Sequence, residues 1–121
     1  MPAKFSLDDK FSQFDELWRP RVVASLNGQE IKIVKVQGAF PWHRHEHEDE
    51  CFLVWKGRLR VEFADRMVEL GPGEGLVVPR TVEHRTLADE QCEIILFEPA
   101  ATRNTGNIED PVFTAPDNVV L

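Results

Sequence analysis

A chain of 121 residues and 13.9 kDa has room for one domain. Hydrophobic residues at 42% and charged residues at 29% describe an ordinary globular mixture, and no apolar run approaches the roughly 18 residues of a membrane span. Twenty-one acidic against fourteen basic residues give a net charge of −7, which argues against a nucleic-acid partner.

The first residues, Met-Pro-Ala-Lys-Phe-Ser-Leu-Asp-Asp-Lys, contain no apolar signal core, so nothing there requests export. Residues 1–20 read as a helical segment. Ser6 can cap it, Asp9 follows three positions on, Leu7, Phe11, Phe14 and Trp18 recur at three- and four-residue steps, and Pro20 stops it. From Arg21 the period becomes two. The expected strands are Val22–Leu26, Glu30–Gln37, Phe40–His45, Glu50–Trp55, Arg58–Phe63, Arg66–Leu70, Gly75–Pro79, Glu83–Ala88 and Cys92–Glu98. Asn27-Gly28, Lys56-Gly57, Gly71-Pro72-Gly73 and Ala88-Asp89-Glu90 are among the turns between them, and Asn-Gly is a strong hairpin signal. Many short strands with close-set turns predict an all-β antiparallel sandwich or barrel. Residues 99–121, with three prolines, read as an irregular wrap. Cys51 and Cys92 both sit in apolar runs and are too few for a disulfide framework, so the expectation is two reduced core thiols in a cytoplasmic protein.

The chemistry concentrates in the histidines. His43, His45 and His47 lie within Phe-Pro-Trp-His-Arg-His-Glu-His-Glu-Asp-Glu, and His84 lies far downstream. On an extended strand, side chains two apart share a face, so His43 and His45 project together about 7 Å apart. Glu50 could join them if residues 46–49 form a turn, because its parity otherwise points it away. His84 would arrive from a strand paired across the barrel. Three neutral imidazoles and a carboxylate suit a borderline divalent metal such as Zn, Ni, Fe, Mn or Co. His47 shares the parity of His43 and His45 and is expected at the rim. Glu46, Glu48 and Asp49 read as a solvated turn. Arg58 and Arg60 should face water, and residues 102–106 read as a turn that could line a pocket mouth. Trp42, Trp55 and Phe40 should lie on the face opposite the histidines.

The glycine framework makes the pattern more specific. Gly38, His43-Arg44-His45, Glu50 after four residues and Gly57 after six more are followed by Gly73, Pro79 and His84. In this the sequence resembles the cupins, small double-stranded β-helix or jelly-roll barrels, over roughly residues 30–98, and in particular the small stand-alone proteins described as mannose-6-phosphate-isomerase-like. The departures are a spacing of four rather than five residues between Gly38 and His43, Thr81 where the second motif has an inner glycine, and Ala88 where it has asparagine. The resemblance implies one cupin domain over residues 1–121, with His43, His45, Glu50 and His84 as the metal ligands.

Four protein ligands leave an octahedral ion two positions for a small oxygenated or sugar-like metabolite. The expected function is therefore a metal-anchored binding module. The alternative is a metal-dependent enzyme, either a dioxygenase-like oxidoreductase or a sugar isomerase. No nucleophile motif, phosphate loop or dinucleotide fingerprint appears, and no acid besides Glu50 is evident inside the barrel. Exposed sheet edges and the apolar N-terminal stripe predict a homodimer, in which Val22–Leu26 could add to the partner's sheet.

Overall fold

The computed structural model describes residues 2–115 and 119–121, so residues 116–118 of the expected C-terminal wrap lie outside the described residues. One short helix, α1 (Leu7–Phe11), precedes seven strands: β1 (Arg21–Leu26), β2 (Gln29–Ala39), β3 (Glu50–Lys56), β4 (Leu59–Phe63), β5 (Met67–Leu70), β6 (Gly75–Val78) and β7 (His84–Pro99). All strand pairings are antiparallel. One sheet runs β1-β2-β7-β3-β6, and the β4–β5 hairpin branches from β7. Asn27 and Gly28 take φ values of 50° and 77°, the left-handed pair that a two-residue β1–β2 hairpin requires. The result is the expected jelly-roll β-barrel.

The strand β7 closes the barrel. Its first residues pair with β4 (His84 with Phe63, Leu87 with Arg60), and its last pair with β3 (Ile94 with Val54, Phe97 with Cys51). Ala88-Asp89-Glu90 was expected to be a turn. Instead the chain stays extended, and the extra residues bulge opposite β2, where the register slips between Val36 and Gly38. A bulge bends a strand without ending it, which lets β7 pair with β4 at its start and with β3 at its end. The two predicted strands over residues 83–98 are thus one. Phe40–His45 is the other correction: the chain leaves β2 at Ala39, and within residues 40–49 only His43 makes a β-bridge, to His84.

Alternation sorts the side chains into two cores. Val34, Val36, Phe52, Val54, Ile94 and Leu96 face the barrel interior. Ile33 and Ile95 face outward and are covered by Phe11 and Phe14. The helix, expected to continue to residue 20, is only five residues long. Leu7, Phe11 and Phe14 cover the outer core, whereas Trp18 packs against the inner one, and no straight helix could reach both. Lys35 pins the crossing: its Nζ donates to the Phe14 carbonyl at 2.7 Å and lies 5.0 Å over the Phe14 ring. The apolar N-terminal stripe is therefore buried on its own barrel. The strand β1 pairs with its own β2, and its free edge meets the chain's own C-terminus through Val22 N–H to Val119 O (2.8 Å) and Leu121 N–H to Val22 O (3.0 Å).

Candidate metal centre

The structure brings the four residues singled out by spacing to one place. His43 and His45 lie on the irregular passage after β2, Glu50 opens β3 and His84 opens β7. One donor atom from each lies within 4.8 Å of every other. Metal–ligand bonds of about 2.0–2.2 Å allow at most about 4.4 Å between donors on one ion, so only a few tenths of an ångström separate this cluster from a coordinating one. All four residues are at most 3% exposed.

Backbone bonds hold this arrangement. His43 and His84 exchange both N–H···O bonds at 2.9 Å, and the Thr81 N–H donates to the His45 carbonyl at 2.7 Å. Thr81 occupies the position where the family pattern has glycine, and it takes the glycine-like φ of 72°. The strain is accepted, because the turn still has to deliver that N–H.

Local hydrogen bonds set the imidazoles. His43 Nδ1 donates to the Pro41 carbonyl and His84 Nδ1 to the Val82 carbonyl, each at 2.9 Å and each two residues back. A carbonyl can only accept, so both rings carry their proton on Nδ1 and turn a lone pair on Nε2 toward the cluster. His45 Nε2 and His84 Nε2 approach Glu50 Oε1 at 3.2 and 3.5 Å without hydrogen-bond alignment. Both nitrogens of His45, Nε2 of His84 and Oε1 of Glu50 have no hydrogen-bond partner among the described residues. Converging buried lone pairs without donors are costly on their own and fit a cation.

The electrostatics follow from the same packing. Burial, with the adjacent His84, holds His43 down to about 4, so it is a neutral donor at physiological pH. Burial also opposes protonation of His45, but the Glu50 carboxylate 3.2 Å away outweighs it and leaves His45 raised. Glu50 is fully enclosed, yet His45, His84 and Glu98 hold it well below the usual carboxylate range.

Glu98 is a residue the sequence reading missed. It is 1% exposed and accepts from Lys32 Nζ at 2.9 Å, while its other carboxyl oxygen has no hydrogen-bond partner among the described residues. Burial and the charge of Glu50 raise its carboxyl well above the ordinary range. Lys32 is itself buried and also donates to the Thr102 carbonyl. Parity could have found both: Glu98 continues the inward series Ile94, Leu96, and Lys32 precedes Val34 and Val36 at the same spacing.

Other expectations sort cleanly. His47 is exposed and outside the cluster, as are Glu46 and Asp49, and Asp49 clamps the Arg80 backbone and guanidinium. Arg58 pairs with Glu69 and Arg60 with Asp89 at the surface. Trp55 lies on the outer face as predicted, bonding Asp8, and Trp42 stacks under Arg85. Phe40 does not follow them. Without a strand over residues 40–45 its parity lapses, and its ring turns inward against His43, with centroids 5.4 Å apart. The turn at residues 102–106 buttresses the site from behind. Arg44 and Asn107 exchange bonds at 2.8 and 2.9 Å, and Gly106 lies so close that a Cβ there would sit 2.2 Å from the Arg44 carbonyl oxygen. Cys92 is buried, with its thiol pushed up to about 11, whereas Cys51 is only half-buried; both are free.

Comparison with known proteins agrees with this geometry. The chain is similar to a cupin-2 domain protein from Shewanella frigidimarina NCIMB 400, with 44% identity and a TM-score of 0.78 over 78% of this chain and 93% of that one. It is also similar to protein NMB1881 from Neisseria meningitidis, at 28% identity and a TM-score of 0.74 over 81% and 100% of the two chains. The uncharacterized protein YdbB of Bacillus subtilis (strain 168) is 29% identical over 65 residues, which are 53% of this chain and 58% of that protein. The family model described as "Cupin domain" matches residues 31–98, the span that carries the four clustered residues, and the chain belongs to the cupin family.

Proposed function

We propose that this protein holds one divalent transition metal through His43, His45, Glu50 and His84 and binds a small oxygenated metabolite beside it. The observation that carries this reading is the set of buried, unpartnered lone pairs on His45, Glu50 and His84. The donor set of three imidazoles and one carboxylate suits Zn, Ni, Fe, Mn or Co. When bound, such an ion supplies Lewis-acid polarisation of an oxygen ligand. The chain's own part is to fix the imidazole tautomers, to exclude water with Phe40, Phe52 and Phe63 around the histidines, and to keep Glu50 ionised.

The test is metal content of the full-length chain. The protein as purified is expected to carry up to one equivalent, and the His45→Ala, His84→Ala double variant essentially none, whereas exposed His47→Ala keeps it. Unchanged metal in the double variant would rule the site out.

The enzyme reading has one observation in its favour: Glu98, a buried acid inside the barrel whose carboxyl feels the charge of Glu50. Oxygen uptake by the iron-loaded chain with hydroxy acids, diols or thiols, lost in Glu98→Gln, would favour it over simple binding. Two further readings accompany the first. Free Cys51 and Cys92 support a reducing, cytoplasmic setting. A homodimer is supported by an apolar row left open on the outer face, where Val77, Cys51, Phe97 and Ile31 neighbour one another across β6, β3, β7 and β2, with Val77 59% and Phe97 36% exposed.

A further inference from the structure

A cavity of about 40 Å³ adjoins the cluster, with His43 and Glu50 in its wall. Its other walls are the inward residues of three strands: Val34 and Val36 from β2, Phe52 from β3, and Ile94 and Leu96 from β7. Its roof is Trp18, which stacks on Phe40 at 5.1 Å and is backed by Phe113 at 5.4 Å. Beyond the two cluster residues, the polar side chains lining it are Thr86 and Asn104. Asn104 is already committed: its Nδ2 donates to the Phe113 carbonyl at 2.8 Å, and its Oδ1 accepts from the Ala115 N–H at 2.9 Å.

The roof is held at some cost. Trp18 sits at φ 66°, a left-handed backbone that a bulky residue rarely adopts, and it persists because β2 and the C-terminal segment grip it. Its N–H donates to the Lys35 carbonyl at 2.9 Å. Arg19 next to it reaches the Val112 carbonyl at 2.8 Å. Strain maintained at a pocket roof, with the indole aimed at an apolar chamber, marks a side chain placed for what the chamber holds.

We propose that the ligand taken beside the metal cluster carries an oxygen-chelating head and a short, unbranched apolar tail, and that Trp18, Phe40 and the β2 valines select it over polyhydroxylated compounds. The proposal rests on the metal-anchored reading above and specifies its ligand. A sugar-like chain would bring several hydroxyls into a chamber where, among the described residues, Thr86 is the polar side chain outside the cluster that remains beside the committed Asn104, and each buried hydroxyl without a partner weakens binding on the order of tenfold. Each methylene buried there strengthens binding about fourfold. A water needs roughly 10–15 Å³ on this kind of measure, so 40 Å³ admits about three small groups, which sets the tail at about three carbons.

The experiment is calorimetric titration of the full-length, nickel-loaded chain, with nickel content measured on the same sample. The probes are lactate and its straight-chain homologues, set against glycerate and threonate as hydroxylated counterparts of equal length. Affinity is expected to rise about fourfold per methylene to a three-carbon tail and then level off, with glycerate, one hydroxyl richer than lactate, about tenfold weaker and threonate, two hydroxyls richer than its alkyl partner, about a hundredfold weaker. Val36→Leu should move the preferred tail one carbon shorter, and Trp18→Leu should make it longer, with nickel content unchanged in both. Hydroxylated acids binding as tightly as the alkyl ones, or a tail preference that neither variant moves, would overturn the proposal while leaving the metal reading intact. A chain that takes up no nickel would overturn the metal reading itself, and this proposal with it, before any acid is added.

Discussion

His43 shows how one buried imidazole links the site to stability. Its Nδ1 proton is bound to the Pro41 carbonyl, its ring is packed against Phe40 and His84, and burial holds it down to about 4 against an ordinary value of 6.5. The unfolded chain therefore binds a proton at this residue first as pH falls. Stability contributed by neutral His43 is fully present above about 6.5 and is lost progressively down to about 4, in total roughly 3 kcal/mol. His45, raised by Glu50, acts in the opposite sense and offsets part of this. In the metal-free protein, urea unfolding at pH 7 and pH 4.5 should show a larger loss for the native chain than for His43→Gln. Equal losses would contradict the assignment of that pH dependence to His43.

At the scale of elements, the passage over residues 40–49 is irregular and relies on its neighbours for shape. β7 supports it in front through the His43–His84 backbone pair, and the turn at residues 103–107 supports it behind through Arg44 and Asn107. Gly106 is the contact that makes the second support possible: its φ is 57°, and an added Cβ would stand 2.2 Å from Arg44 O and 3.1 Å from the His43 ring. Gly106→Ala must push the turn away. The expected result is a loss of about 1–3 kcal/mol in thermal unfolding together with reduced metal content, because the passage that loses this support carries two of the four clustered residues, His43 and His45. A variant of unchanged stability and metal content would mean the turn is mere surface.

At the scale of the whole molecule, the N-terminal segment and the C-terminus both fold back on their own barrel. Phe11 and Phe14 cover Ile33 and Ile95, and residues 119–121 meet the edge of β1. A second copy would therefore use the open row of Val77, Cys51, Phe97 and Ile31 rather than an exchanged strand. Light scattering behind a sizing column should give about twice 13.9 kDa at micromolar concentration, falling toward 13.9 kDa in Phe97→Glu and unaffected by Phe14→Leu. A native mass near 13.9 kDa would end the dimer reading.

Much of this protein was legible in its sequence because short-range rules govern it. Period-two alternation placed six strands within a residue or two of where they lie, Asn27-Gly28 placed a hairpin, and two motifs at fixed spacing named the four residues that the fold brings together. Tertiary structure decided what local pattern could not. Phe40 turned inward because a segment without a strand has no parity to obey, and Ala88-Asp89-Glu90 became a bulge because β7 must pair with β4 at one end and β3 at the other. Lys32 and Glu98 could be buried because they bond to each other across strands far apart in sequence, and Trp18 became a roof because β2 and the C-terminal segment hold it there. Alternation is a property of one strand, whereas burial of charge and placement of a strained side chain depend on partners that only the closed barrel supplies.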